Sequence, residues 1–141
     1  MTREPIYSAL FAKVAGAYGF TTISRRLKHW DDVPQGDQPA LFQAQMSEDA
    51  AIIAGRPTVW TMSVDLYIYA HTGGDKSIAP GTILNPLIDA VVAALAPDPI
   101  TQLQTLGGTC IHAWIEGRVQ TDEGVLGDQG VAIIPIHIKA I

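Results

Sequence analysis

Cysteine is nearly missing from this chain, charge is scarce, and basic residues are scarcer than acidic ones. A single Cys110 in 141 residues excludes an internal disulfide. It sits in an apolar, β-like run, where a buried structural thiol is expected rather than a nucleophile. Nine Lys and Arg stand against 14 Asp and Glu, a net charge of −5. That balance argues against gripping nucleic acid by phosphate neutralisation, which needs clustered cations. The one basic cluster, Arg25, Arg26 and Lys28 beside His29, reads as a solvated strand face.

No stretch reaches the ~20 continuous apolar residues of a membrane-spanning helix. The opening MTREPIYSALFAKVAGAYG is basic and then apolar, but Glu4, Lys13 and Tyr18 interrupt it. A cleavable leader is therefore not expected. Only 16% of residues are charged while 48% are hydrophobic, with a mean hydropathy of +0.19. Such a chain folds, and for a small monomer it has so little charge that some apolar surface is expected to be covered by other subunits.

The periodicities predict two helices and about five strands. Ile6, Leu10, Val14 and Tyr18, with Tyr7 and Phe11, form one stripe of a helix bounded by Pro5 and Gly19. From Thr22 to His29 the period changes to two. A short strand over Leu41–Met46 follows, then a loop over residues 47–57. TVWTMSVDLYIYAH alternates strictly: Trp60, Met62, Val64, Leu66, Ile68 and Ala70 share one face, and a half-polar, aromatic set shares the other. HTGGD opens a turn-rich connection. A second helix is expected to begin at Asn85 as cap and Pro86 as first residue, burying Leu87, Ile88, Val91, Val92 and Leu95. CIHAWIEGRVQ and VAIIPIHIKA read as the last two strands, joined by a loop over residues 121–130.

The order α-β-β-β-α-β-β predicts a single α+β domain over 1–141, a two-layer sandwich with a mainly antiparallel sheet and both helices on one face. Pro135 cannot donate to a ladder, so the last strand should lie at a sheet edge or carry a bulge there. An edge needs protection, and pairing with a neighbouring chain is one form of it.

A search for chemistry yields little. HWDDVPQGDQPALF, residues 29–42, gathers His29, Asp31, Asp32 and Asp37, a set that invites a metal. Histidines His112 and His137 lie on other strands, adjacent aspartates converge poorly on one ion, and aspartate is common in turns for its own backbone bonds. Cys110 and His112 share a strand face but lack an orienting third group. The glycine pairs of HTGGD and LGGT match no phosphate-binding signature. TDEGVLGDQG lacks the alternating oxygen ligands of a calcium loop. No catalytic residue, metal or cofactor is expected.

Taken together, RRLKHWDDVPQGDQPALFQAQ, VDLYIYAHTGGD, ILNPLIDAVVAAL, TLGGTCIHAWIEG and DEGVLGDQGVAIIPIHI resemble the tail-terminator, or tail-completion, proteins of long-tailed bacteriophages and prophages. The resemblance covers nearly the whole chain and rests on the number and order of structural motifs. It implies a homohexameric ring at the head-proximal end of the virion tail, assembled in the host cytoplasm. Such a ring caps the tube of major tail protein, ends its polymerisation and meets the head-completion or connector protein, with DNA passing through. No membrane partner is implied. The alternatives are another neck component, such as a head-closure or connector-adaptor protein, and a small metal-dependent hydrolase using His29, Asp31 and Asp32. For the ring, Asp31, Asp32, Val33, Pro34, Asp37 and Pro135 are the candidate subunit contacts, and the acidic balance favours a lumen that lets DNA slide.

Overall fold

The computed structural model describes residues 1–73, 75, 77–123 and 127–141. Helix α1 spans Arg3–Ala15 and helix α2 spans Gly81–Ala94. Six strands run Thr22–Ser24 (β1), Ala40–Ala51 (β2), Val59–His71 (β3), His112–Ile115 (β4), Gln120–Asp122 (β5) and Gln129–Ala140 (β6). They form one sheet in the order β1-β2-β3-β6-β4, with β5 also on β6. All pairings are antiparallel except β1 with β2. This is the expected α+β arrangement with a mostly antiparallel sheet.

Alternation builds the two faces. Leu66 and Ile68 of β3 and Ile134, Ile136 and Ile138 of β6 are fully buried. They meet Ile6, Leu10 and Val14 of α1 and Leu84, Leu87 and Val91 of α2 in one core. Both helices thus cover the same face. A smaller cluster of Val33, Ala40, Phe42, Tyr69 and Val131 lies on the opposite face. It is sealed by the chain between β1 and β2, because a parallel pair requires a crossover across a sheet face. HWDDVPQGDQP belongs to that crossover.

Several boundaries differ from the sequence expectation. Helix α1 ends at Ala15, with the Gly16 N–H bonded to the Ala12 carbonyl, so Tyr18 falls beyond it and is exposed while Phe20 is buried. The strand expected over Thr22–His29 stops at Ser24, whose hydroxyl accepts the Arg26 N–H and turns the chain. Arg25 then pairs with Glu4. The expected loop 47–57 is strand as far as Ala51, pairing through Ala51↔Val59, and only its tip is irregular. A bulge between Gln45 and Ser47 throws Met46 into solvent and lets polar residues occupy the arm.

Helix α2 begins one turn before Asn85 and Pro86. The first-turn Gly81 N–H is taken by the Glu123 carboxylate, 3.0 Å away, and Thr82 bonds back to the Ala79 carbonyl at 2.6 Å. Pro86 lies inside the helix, where it removes one ladder bond. Val92, expected in the buried stripe, is exposed.

Strand β6 is central rather than peripheral. It lies between β3 on one side and β4 and β5 on the other. The ladder is nevertheless interrupted where Pro135 predicts. Ile115 pairs Ile136 and Gln120 pairs Ile133, so residues 116–119 bulge opposite Ile134 and Pro135. The run CIHAWIEGRVQ is therefore two short strands and not one. The open edges fall elsewhere: among the described residues β1, β4 and β5 are paired on one side, as is β2 beyond Phe42. Gly74 of HTGGD and Gly124, Val125 and Leu126 of the 121–130 connection lie outside the described residues.

Candidate functional site

HWDDVPQGDQP forms two 3-10 turns, Trp30–Asp32 and Gln35–Asp37. His29 caps the first through Nδ1, which accepts the Asp31 N–H at 3.2 Å. Asp31, Asp32, Pro34 and Asp37 are exposed, whereas Val33 is buried at 3%. Val33 packs on Phe42 and Tyr69, so it anchors the stretch and offers no surface to a neighbour. Pro135 is half-buried on the sheet.

Gln38 provides a second anchor. Its Nε2 donates to the Val33 carbonyl at 2.9 Å and to Gln129 Oε1 at 2.7 Å, tying the stretch to β6. The Gln38–Pro39 peptide is cis. A third tie is Tyr69, whose hydroxyl donates to the Lys28 carbonyl at 2.6 Å. Burial, with Tyr67 nearby, pushes the Tyr69 phenol up to about 12. Acidic side chains therefore face solvent on a backbone fixed from beneath.

Between this crossover and the sheet runs a groove of about 670 Å³, floored by Tyr67, Tyr69, Val131 and Ile133 and walled by Leu27 and Trp30. The aromatic, half-polar face of β3 was legible in the sequence. That Leu27 and Trp30 would fold back over it was not, because it depends on where β1 ends.

The opposite end of the sheet carries the long β2–β3 arm. Arg3 Nε meets Glu48 at 2.6 Å and its guanidinium lies 4.6 Å from the Trp60 ring centre. Tyr7 donates to Glu48 at 2.8 Å. Burial would raise the Glu48 carboxyl, but the Arg3 and Tyr7 bonds outweigh it and hold it below its ordinary value. The root of the arm is thus fastened to α1, while its tip exposes Ile52 at 76% and Ile53 at 61%. The expectation of an unpatterned loop concealed this tip; the adjacent isoleucines beside Gly55 and Pro57 were its available signal.

Of the remaining candidates, His112 Nδ1 accepts the Gln104 N–H at 3.0 Å and Cys110 Sγ lies 3.9 Å from the Gln104 carbonyl. Both serve the loop after α2, and burial pushes the Cys110 thiol up to about 11, away from nucleophilic use at neutral pH. His112, Trp114 and His137 stack in a row, with centroid spacings of 5.2 and 5.8 Å. Burial raises the Asp65 carboxyl, and the nearby His137 works the other way. Beside the β4 edge, a smaller groove of about 380 Å³ is lined by Val92, Leu95, Pro97, Trp114 and Ile115. Among the described residues, no group of three or more His, Cys, Asp or Glu is placed to hold a metal, and no helix is long and apolar enough to cross a membrane.

The fold has a counterpart among solved structures. A chain in the virion of a native gene transfer agent particle superposes with a TM-score of 0.56 at 11% identity. The match covers 95% of this chain and 92% of that one. No family model and no curated protein matches the sequence.

Proposed function

We propose that this chain is a structural, non-enzymatic subunit of a phage-type virion, and within it the tail terminator. In this reading six copies form a ring at the head-proximal end of the tail. The ring caps the tube of major tail protein, halts its growth and presents a surface to the head-completion or connector protein. DNA passes through the ring without specific binding. The observation that carries the reading is the near end-to-end fold likeness to a chain of a phage-like virion particle. The motif resemblance narrows it to the terminator.

Two features of the molecule support an assembling subunit. Among the described residues its sheet ends in two dissimilar edges, β1 with the distal half of β2 on one side and β4 with β5 on the other. Its surface exposes apolar residues at separated places, Ile52 and Ile53 on the arm and Val92 on α2. A ring built from head-to-tail contacts requires two different surfaces on each subunit. Asp31, Asp32, Pro34, Asp37 and the bulge facing Pro135 belong to these contacts in the same reading.

Native mass spectrometry of the purified protein, followed by electron microscopy of labelled particles, tests this. A six-subunit ring seated on the last tube ring is expected. The same protein found on the portal side would assign it instead to head closure, and its absence from particles would remove it from the virion.

A further inference from the structure

The β2–β3 arm and the crossover groove have complementary chemistry and lie at opposite ends of one subunit. The arm tip, residues 52–58, projects Ile52 and Ile53 into solvent. The groove, about 670 Å³, is floored and walled by Leu27, Trp30, Tyr67, Val131 and Ile133. That volume falls within the roughly 300–1,000 Å³ of sites that enclose small apolar groups, and it accommodates two isoleucine side chains.

Charge points the same way. The arm carries exposed Asp49 on one strand and exposed Arg56 at the turn. Exposed Lys28 lines the groove, and exposed Asp31 and Asp32 follow the lining residue Trp30 in the same turn. Each surface thus has both signs, and each sign has an opposite on the other surface. Strand β3 leaves the tip at Val59 and reaches the groove at Tyr67, eight residues and about 26 Å away. A subunit cannot fill its own groove with its own tip across that distance on a continuous strand.

We infer that the arm tip of one copy seats in the crossover groove of the next, Ile52 and Ile53 entering between Trp30 and Tyr67, with Arg56 against Asp31 and Asp32. The contact is heterologous, so it repeats from copy to copy and closes where the rotation permits. It deepens the ring reading and rests on it for closure. A short tip buries less than the roughly 1,200 Å² of stable interfaces, so two copies alone associate weakly and closure reinforces the contact.

Cysteine pairing in trans tests this. In a Cys110→Ser background, copies with Ile53→Cys are mixed with copies carrying Lys28→Cys under mild oxidation. A covalent dimer is expected, several-fold above the yield when Ile53→Cys copies meet Lys139→Cys copies, since Lys139 lies at the far end of the sheet. A chain carrying both Ile53→Cys and Lys28→Cys should give a ladder of oligomers. Equal yields for the test and control mixtures would overturn the contact. As a second measurement, Ile52→Asp with Ile53→Asp should leave the far-ultraviolet dichroism unchanged and weaken self-association at least tenfold in sedimentation; unchanged association would also overturn it. A hexamer by native mass spectrometry without trans cross-links sinks the contact and leaves the ring standing. Cross-links without a closed ring sink the ring and leave the contact standing.

Discussion

Gly117 faces Pro135 across the break between β4 and β5, where a Cβ on the glycine would sit 3.4 Å from the proline Cγ. Gly117 also has φ of +110°, a conformation side chains rarely adopt. The two residues solve one problem together: the proline withholds a ladder donor, and the glycine lets the neighbouring strand bulge past it. Gly117→Ala should therefore destabilise the fold by about 1–3 kcal/mol, read as an earlier chemical denaturation midpoint. Unchanged stability would mean that the bulge relaxes freely.

Gly130 makes a second close approach, where α2 crosses β6. A Cβ there would lie 2.7 Å from Leu84 Cδ1 and 3.0 Å from its Cγ. Leu84 is fully buried in the core, so its side chain must shift within packed surroundings. Gly130→Ala should cost about 1–3 kcal/mol through overpacking. The double variant Gly130→Ala with Leu84→Val should recover part of that loss, a coupling measurable in a thermodynamic cycle.

Gln38 should prove a strut for the crossover. Gln38→Ala removes the donor to the Val33 carbonyl and the bond to Gln129. The expected loss is about 1–3 kcal/mol. Amide exchange should accelerate more over residues 29–38 than in β3, because β3 keeps its ladders on both sides.

Alkaline pH should loosen the same region. The folded Tyr69 phenol stands at about 12, above its ordinary value near 10. A raised pKa means that the fold favours the neutral phenol. This contribution is intact below pH ~10 and is lost as pH rises towards 12. Tyr69→Phe should flatten the stability profile across that window; an unaltered profile would assign the alkaline loss to other groups.

Much of the fold was legible because it rests on local period. The alternation of β3, the isoleucines of β6 and the stripe of α1 each fix a buried face, and Pro135 correctly marked a broken ladder. Its partner did the bulging, however, because a central strand flanked on both sides cannot leave the sheet. The shortened β1 was not legible, since Arg25 and Leu27 keep the period of two after the hydrogen bonding has ended. The arm beyond Gln45 was hidden by SEDAA, whose polarity reflects a strand with solvent around it. Helix α2 starts early because Glu123, 42 residues away, caps it, a relation no local window contains. The groove was invisible for the same reason: its lining comes from the crossover, β3, β5 and β6, which lie far apart along the chain.

The length distribution of tails assembled without this protein tests the proposed terminator role. Electron micrographs of such particles should show tubes overrunning the normal length and lacking heads, with normal length restored by adding the protein. Tails of uniform, unchanged length in its absence would rule that role out.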